Sequence, residues 1–403
     1  MAESMQELAN LCGSVGIMPL AQIVQARPRF DPATLYGSGK LAEIKQQLRT
    51  RGADLVVFDH DLSPSQGQKL ERLLGVMVMD RTQLILEIFH RNARTREARM
   101  QVELAQLEYM LPRLVGMWAH LDRERGGISG SKGTGEKQIN IDRTLVRTRI
   151  ARLKKELRQL ASERETQKKR RSNCFQVSLV GYTNAGKSTL MNRLTHADVK
   201  VEDRLFATLD PTTRVLLDHY RPRVLLSDTV GFLSRLPHSL VASFRSTLEV
   251  VRDADLLLHV VDVSHEGHEE HIETTLQVLQ DIGAEAVPRL LVFNKVDRIE
   301  DKVTLLLARK AHPEAVFISA EQDDPAPLKQ RIVQFFENSM VTTPLLLAYA
   351  DYGNLAKVYR WSRVDEVRYE EDAIHLVVTS TPANLERIRA NVPVWREKAT
   401  GTG

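Results

Sequence analysis

The ten residues "GYTNAGKSTL" at 181–190 restrict the fold of this chain more than any other stretch. Four residues separate Gly181 from Gly186-Lys187-Ser188, which is the spacing of a phosphate-binding P-loop. An apolar, strand-like run precedes the stretch and helix-forming residues follow it, which argues against a chance match. Backbone N–H groups in such a loop can surround a β-phosphate, while Lys187 reaches the β- and γ-phosphates and the Ser188 hydroxyl binds Mg²⁺. The stretch therefore predicts a nucleotide site in an α/β domain.

The composition excludes several other classes of protein. A length of 403 residues is enough for two to four domains, each with its own core, and 27% charged residues is ordinary for a soluble protein. Cys12 and Cys174 are the two cysteines, too few for a disulfide framework or a cysteine-rich zinc site. The sequence shows no signal peptide and no apolar run long enough to cross a bilayer. We therefore expect a cytoplasmic protein.

A second motif predicts which base the nucleotide carries. The run "RLLVFNKVD" ends in Asn294, Lys295 and Asp297, the N-K-x-D arrangement. The Asp297 carboxylate can accept hydrogen bonds from guanine N1–H and the exocyclic amine, which adenine does not offer in that geometry. The stem of Lys295 can cover the base. After the next strand-like run, "AVFISAE", a backbone N–H can meet guanine O6, and the residues predicted there are Ser319, Ala320 and Glu321. The predicted ligand is GTP or GDP.

Between these motifs lie two segments expected to sense the γ-phosphate. The strand-like "RVLLSDTVGF" ends in a D-x-x-G motif, in which Asp228 can hold Mg²⁺ through water and the Gly231 amide can bind the γ-phosphate. Upstream, "LFATLDPTTR" has the threonine-rich character of a switch I loop. Its Thr208 is favoured over Thr212 or Thr213 as a direct Mg²⁺ ligand, because "FATLD" is similar to the pattern of translation-associated GTPases. The other residues predicted to contact the nucleotide are Tyr182, Thr183, Asn184, Ala185, Phe206, Ala207, Leu209, Asp210, Thr229 and Val230.

The residue after the D-x-x-G motif predicts slow hydrolysis. Many GTPases carry a glutamine there that orients the attacking water, but this chain has Phe232, which offers no hydrogen-bonding group. An asparagine at the position of Asn184 resembles the potassium-dependent GTPases, in which it helps to hold K⁺ beside the phosphates. The alternative is that Asn184 merely tolerates a tight turn. His238 is interpreted as an ordinary polar residue of switch II rather than a base.

The chain is expected to contain four regions. Residues 1–95 read as a small α/β domain, in which the run from "ADLVVFDH" to "LILEIF" at 53–89 predicts strand, helix, short strand, helix. The stretch "LYGSGKLAEI" before it favours a helix-entry turn over a second nucleotide site. Residues 173–339 alternate strand-like and helical runs, which predicts a doubly wound, mostly parallel sheet. Residues 340–403 suggest a small α+β module of order β-α-β-β-α with a disordered tail.

Residues 96–172 are predicted to form an antiparallel helical hairpin. Apolar residues recur at steps of three and four in two runs, and Pro112 should kink or break the first helix. A glycine-rich loop at 122–140 would form the tip of this arm. The first run is Met100, Leu104, Leu107, Leu111, Leu114, Trp118 and Leu121, and the second is Val146, Ile150, Leu153, Leu157 and Leu160.

The second helix of the hairpin carries many basic residues and few acidic ones. Scattered charge of both signs is usually a solvated face, but an excess of one sign favours contact with an RNA backbone. The flexible tip would then do the specific work while the stalk positions the protein. The predicted RNA-binding residues are Arg143, Arg147, Arg149, Arg152, Lys154, Lys155 and Arg158, followed by "KKRR" at 168–171.

Taken together, the motifs resemble those of the HflX GTPases of the Obg–HflX branch. The resemblance rests on "DPATLYGSGKLAEI", on "GEKQINIDRTLVRTRIARLKKEL" and on the P-loop, switch and N-K-x-D segments, and it covers nearly all of the chain. It implies a GTPase that binds the large (50S) ribosomal subunit, is stimulated by it, and splits or rescues stalled ribosomes under stress. The arm is implied to reach toward the peptidyl-transferase region. The tip departs from the family pattern by one extra residue and by Thr134, Lys137 and Asn140.

Two other functions remain open at this point. The chain could be an assembly factor for the large subunit that uses GTP as a timer, or mainly a protein-binding regulator. The expected partners are GTP or GDP and the large subunit with its rRNA, with Mg²⁺ and possible K⁺ as cofactors. We expect no DNA partner, no integral membrane segment, and a monomer.

Overall fold

The computed structural model describes residues 2–26, 29–114, 134–171, 174–195, 206, 209, 211–217, 220–233, 245–392 and 395–396. The chain divides into two compact units, each built from separate stretches of sequence. The first unit comprises Met1–Glu163, Glu202–Asp210 and Leu233–Thr247. The second unit comprises Arg164–Val201, Pro211–Phe232 and Leu248–Gly403.

The amino-terminal part of the first unit contains a two-stranded parallel sheet. Strands β1 (Leu55–Phe58) and β2 (Met77–Asp80) pair in parallel, joined by α3 (Pro64–Leu74). Ser63 caps α3 by accepting from the Gln66 N–H, and the Gln66 side chain accepts from the Ser63 N–H in return. The predicted order of strand, helix, strand, helix is confirmed. The other helices here are α1 (Ala2–Ser14), α2 (Ser38–Arg51) and α4 (Arg81–Asn92).

The "LYGSGK" turn begins α2, as the helix-entry interpretation predicts. Gly37 is the residue before the first helical position and has an extended backbone. Lys40 lies inside the helix and pairs with Glu43 at 2.7 Å. The side chains of Leu41, Ile44 and Leu48 on the same helix are buried. This turn therefore anchors a core helix.

The predicted helical arm is present as two helices, α5 (Arg96–Met110) of the first unit and α6 (Thr134–Arg171), which belongs to the first unit as far as Glu163. The helix α5 ends two residues before Pro112, whose ring cannot continue a helix without a clash. The predicted seam is confirmed at seven positions, whereas its other described members, Leu111, Leu114 and Val146, are half-buried and are not part of this cluster. Met100, Leu104 and Leu153 are buried together, and Leu107, Ile150, Leu157 and Leu160 pack against them.

The carboxy-terminal boundary predicted for the tip loop, residue 140, is wrong. Helix α6 already begins at Thr134, so residues 134–140 are helical rather than part of a loop ending at 140. The reason is that nothing after Gly135 breaks a helix in "EKQINIDRTLVR". Residues 115–133, with Trp118 and Leu121, lie outside the described residues.

The second unit contains a six-stranded sheet of order β4-β5-β3-β6-β7-β8. All neighbours are parallel except β4, which runs antiparallel to β5. The predicted fold class, a doubly wound and mostly parallel sheet, is confirmed. The strands are β3 (Cys174–Val180), β4 (Thr212–Leu217), β5 (Arg223–Asp228), β6 (Leu256–Asp262), β7 (Arg289–Asn294) and β8 (Val316–Phe317). The helices are α7 (Lys187–Thr195), α8 (Arg245–Arg252), α9 (His268–Asp281), α10 (Lys302–Ala311) and α11 (Ala326–Glu337), with a 3₁₀ turn at Val296–Arg298.

The carboxy-terminal module of the second unit is a four-stranded antiparallel sheet of order β10-β11-β9-β12. The predicted order β-α-β-β-α is present, but a further short strand, β12 (Trp395–Arg396), pairs with β9 where only a tail was expected. Residues 397–403 lie outside the described residues. The other elements are β9 (Val341–Leu347), α12 (Leu355–Trp361), β10 (Arg363–Tyr369), β11 (Ile374–Ser380), α13 (Pro382–Asn391) and a 3₁₀ segment at Tyr349–Asn354. Within the described part of the chain, no helix has the length and apolar character needed to span a bilayer.

Candidate nucleotide-binding site

The P-loop, the D-x-x-G motif and the N-K-x-D motif meet at one edge of the six-stranded sheet. They follow the carboxyl ends of β3, β5 and β7, which are parallel and belong to the same unit. Ligands of open α/β sheets bind at this edge, because the loops that leave the strands converge there. Residues predicted from separate stretches of sequence are therefore brought together.

The P-loop wraps closely around the Lys187 ammonium. Lys187 Nζ donates to the carbonyls of Tyr182 at 2.7 Å and Gly181 at 3.1 Å, and its side chain is buried. Burial disfavours the charged form and lowers the pKa of Lys187 to about 8, although the neighbouring Asp228 carboxylate opposes this shift. A buried ammonium at this place can neutralise phosphate oxygens.

Ser188 and Asp228 form the second feature of the site. The Ser188 hydroxyl donates to Asp228 Oδ2 at 2.6 Å, and Asp228 Oδ1 accepts from the Thr229 N–H at 2.9 Å. Asp228 is fully buried. Two oxygen ligands this close together, one of them a carboxylate, fit a hard divalent cation such as Mg²⁺. Thr208, predicted as a further oxygen ligand, lies outside the described residues.

The D-x-x-G segment lies directly on the P-loop. The Thr183 N–H donates to the Phe232 carbonyl at 2.7 Å, and the Phe232 N–H donates to the Gly181 carbonyl at 3.0 Å. A Cβ atom on Gly231 would lie 2.8 Å from Thr183 Cα and 3.0 Å from Lys187 Nζ, so this approach requires glycine. The Phe232 side chain is 1% exposed. Backbone groups of residue 232 therefore face the phosphate loop, while its side chain is buried.

Asn294 links the P-loop to the loop after β8. Its Nδ2 donates to the Ala185 carbonyl at 2.9 Å, and its Oδ1 accepts from the Ala320 N–H at 2.9 Å. Ser319 is buried, and its N–H donates to Asp323 Oδ2 at 2.6 Å. Asp297 lies in the 3₁₀ turn after β7 with an exposed side chain, as a residue that recognises a ligand must. Glu321 is also exposed.

Lys295 is held by a residue that the sequence did not indicate. Its Nζ donates to Asp262 Oδ2 at 2.6 Å and to the Asn184 carbonyl at 2.7 Å. Lys295 and Asn184 both adopt the left-handed backbone conformation, with φ of 62° and 60°. The Asn184 side chain is exposed. The only sequence signal for Asp262 is its place at the end of a buried strand-like run, "LLLHVVD", where sites of this fold lie.

The switch I segment is described at two positions, and both belong to the first unit. Phe206 is buried, with a left-handed φ of 58°, and packs edge-on against Phe89 at 4.8 Å between ring centroids. The Asn92 side chain donates to the Phe206 carbonyl at 2.8 Å. Leu209 is 2% exposed. The predicted residues Ala207, Thr208 and Asp210, and His238 of switch II, lie outside the described residues. No sequence signal distinguished Phe89 and Asn92 from other residues of an amphipathic helix.

Some of the basic residues predicted to bind RNA form ion pairs with acidic residues of the arm itself. Arg149 makes a two-pronged ion pair with Glu103 at 2.6 and 2.7 Å, and Lys154 pairs with Glu108 at 2.7 Å. Residues 147, 154 and 158 are spaced by seven and four, so they follow one stripe along α6. Arg152 pairs with Glu156 at 2.9 Å, and Arg143 is half-buried, whereas Arg147, Lys155 and Arg158 are exposed.

Three family profiles of GTP-binding proteins match successive segments of the chain. A family profile described as GTP-binding GTPase N-terminal matches residues 2–90, one described as GTP-binding GTPase Middle Region matches 92–171, and one described as 50S ribosome-binding GTPase matches 176–295.

Curated relatives match over most of their length. The GTPase HflX of Gluconacetobacter diazotrophicus is 41% identical, covering 96% of this chain and 93% of the relative, and that of Magnetococcus marinus is 43% identical, covering 96% and 90%. The GTPase HflX of Escherichia coli is 41% identical, covering 92% and 88%. Among solved structures, a GTP-binding protein from Sulfolobus solfataricus in complex with GDP is 25% identical, covering 82% of this chain and 95% of its own, with a TM-score of 0.44.

Proposed function

This chain is a GTPase of the HflX family, and on that premise we propose that it binds the large ribosomal subunit and splits or rescues stalled ribosomes under stress. The observation that carries the proposal is the match of residues 176–295 to the profile described as 50S ribosome-binding GTPase. The exposed arginine and lysine side chains of the arm are consistent with an RNA partner. The nucleotide site would be the switch, and the arm the surface for ribosomal RNA.

Guanine nucleotide binds between the P-loop and the N-K-x-D motif. The P-loop N–H groups and Lys187 hold the phosphates, and the exposed Asp297 carboxylate accepts from the guanine N1–H and amine. Ser188 would hold Mg²⁺ directly and Asp228 would hold it through water. When bound, this ion neutralises charge on the β- and γ-phosphates. The close pairing of the Ser188 and Asp228 oxygens supports this assignment.

Hydrolysis without the ribosome is slow, because the residue that orients water in many GTPases is replaced by Phe232. Its buried side chain cannot hydrogen-bond a water. Asn184 compensates in part by holding K⁺ beside the phosphates, and the exposure of its side chain on the P-loop supports this role. Large subunits should raise the rate of GTP hydrolysis.

The exposed side chains of Arg147 and Arg158 on α6 contact the RNA backbone. To test this, Arg147→Glu and Arg158→Glu are each compared with Lys310→Glu, which makes the same charge change at an exposed position on α10. Each arm variant should weaken binding to large subunits and lower the slope of log affinity against log salt by about one for each phosphate that the protein no longer neutralises. Equal slopes for all three variants would remove the arm from the RNA interface.

A sucrose-gradient profile tests the cellular role. Intact ribosomes are mixed with the protein and either a non-hydrolysable GTP analogue or GDP. A splitting factor converts ribosomes into subunits with the analogue and not with GDP. Binding restricted to immature large-subunit particles would instead identify an assembly factor. Unchanged ribosomes with no bound protein would indicate a protein-binding regulator, and either result contradicts the proposal.

A further inference from the structure

The Asp262 carboxylate is held in a fixed orientation at the edge of the nucleotide site. Asp262 is the last residue of β6 and lies beside Asn294 in the strand register. Its Oδ1 atom accepts from both the N–H of Ser264, at 3.1 Å, and the hydroxyl of Ser264, at 2.6 Å. Two donors on one oxygen limit rotation of the carboxylate, so the other oxygen has a defined direction.

That second oxygen faces Lys295. Asp262 Oδ2 accepts from Lys295 Nζ at 2.6 Å, and the side chains are only 18% and 12% exposed. The same ammonium donates to the Asn184 carbonyl at 2.7 Å. Charge-assisted hydrogen bonds of this length, shielded from water, are stronger than exposed ion pairs. The position of the Lys295 ammonium is therefore defined by one carboxylate and one P-loop carbonyl.

The path of the Lys295 stem follows from these two bonds. Its Cε atom lies 4.0 Å from the position that a Cβ of Gly186 would occupy, so the stem runs along the P-loop. Without a carboxylate at residue 262, Lys295 Nζ would lose one of these two acceptors, and the stem would no longer be held along the P-loop.

We infer that Asp262 is a positioning residue for guanine nucleotide, which acts by holding Lys295 along the P-loop so that its stem can cover the base. The inference rests on the guanine site proposed above. Asp262 touches neither phosphate nor base in this role. An alternative is that Asp262 only stabilises the turn through Ser264, and the experiment is designed to separate the two.

The test is a double-mutant cycle with Asp262→Asn and Lys295→Met, read out as the Kd of fluorescent GDP. Asparagine keeps the size and the oxygen that accepts from Ser264 but loses the charge. Asp262→Asn alone should weaken GDP binding about tenfold to a hundredfold, the usual effect of removing one partner of a charged hydrogen bond. In the Lys295→Met background the same change should alter the Kd by no more than about twofold. Glu270→Gln, an exposed carboxylate on α9, is the matched control and should leave the Kd unchanged.

A second variant keeps the test valid if Asp262→Asn folds poorly. Ser264→Ala removes one donor to Oδ1 without a change of charge, and it should weaken GDP binding about threefold to tenfold, again only when Lys295 is present. Equal losses with and without Lys295 would assign Asp262 and Ser264 to the turn alone and overturn the inference, as would unchanged Kd values in both variants. Failure of the parent protein to bind GDP would instead overturn the proposed guanine site.

Discussion

Replacement of Gly186 by alanine should damage the nucleotide site in a way that can be calculated from the structure. Gly186 has a φ of +90°, and an added Cβ would lie 2.2 Å from Asn294 Nδ2. The backbone conformation alone costs an L-residue about 1–2 kcal/mol. The overlap is far shorter than any normal contact, so the Asn294 amide must move.

Movement of Asn294 breaks two buried hydrogen bonds, to the Ala185 carbonyl and from the Ala320 N–H. Each buried group left without a partner costs about 1–3 kcal/mol. Together with the backbone term, the free energy of unfolding should fall by about 3–8 kcal/mol. Because both partners lie in loops assigned to the nucleotide, GDP affinity should fall at least about a hundredfold, which corresponds to about 2.7 kcal/mol.

Gly283 provides the matched control, since its φ is +72° and an added Cβ would meet no atom within 4 Å. Gly283→Ala should therefore cost only the backbone term of about 1–2 kcal/mol and leave GDP binding unchanged. Chemical unfolding and titration with fluorescent GDP measure both quantities. If the two variants lose equal stability and both bind GDP like the parent, the placement of Asn294 against Gly186 is wrong.

Four further predictions concern the same chain. Asp297→Asn should weaken GTP and admit xanthine nucleotide, which a competition assay would detect. Because Lys187 loses its proton near pH 8 when phosphate is absent, the Kd for GDP should rise by up to about tenfold per pH unit above pH 8, and Lys187→Arg should remove this trend. GTP hydrolysis should be faster in K⁺ than in Na⁺. If Asn184→Ser hydrolyses GTP at the same rate in both salts, this would support the Asn184 side chain as the K⁺ ligand. Phe206→Ala should speed hydrogen exchange at the end of α4 by about two to four powers of ten, because removal of one buried Phe side chain costs about 3–5 kcal/mol. Unchanged exchange would show that Phe206 does not pack against Phe89.

The features that sequence predicted well are those in which local chemistry leaves few choices. The P-loop glycines adopt a backbone that other residues tolerate poorly, and parallel strands bring their carboxyl ends to one edge. The seam of the arm followed from a repeat of three and four, which buries one stripe of a helix. In these cases the pattern itself contains the physical constraint.

The features that sequence missed depend on pairs of residues far apart in the chain. Asp262 meets Lys295 across 33 positions, and Arg149 meets Glu103 across 46. Strand β12 has two residues, too few to show a periodic pattern. The start of α6 at Thr134 was missed because glycine-rich sequence immediately before it suggested that the loop continued.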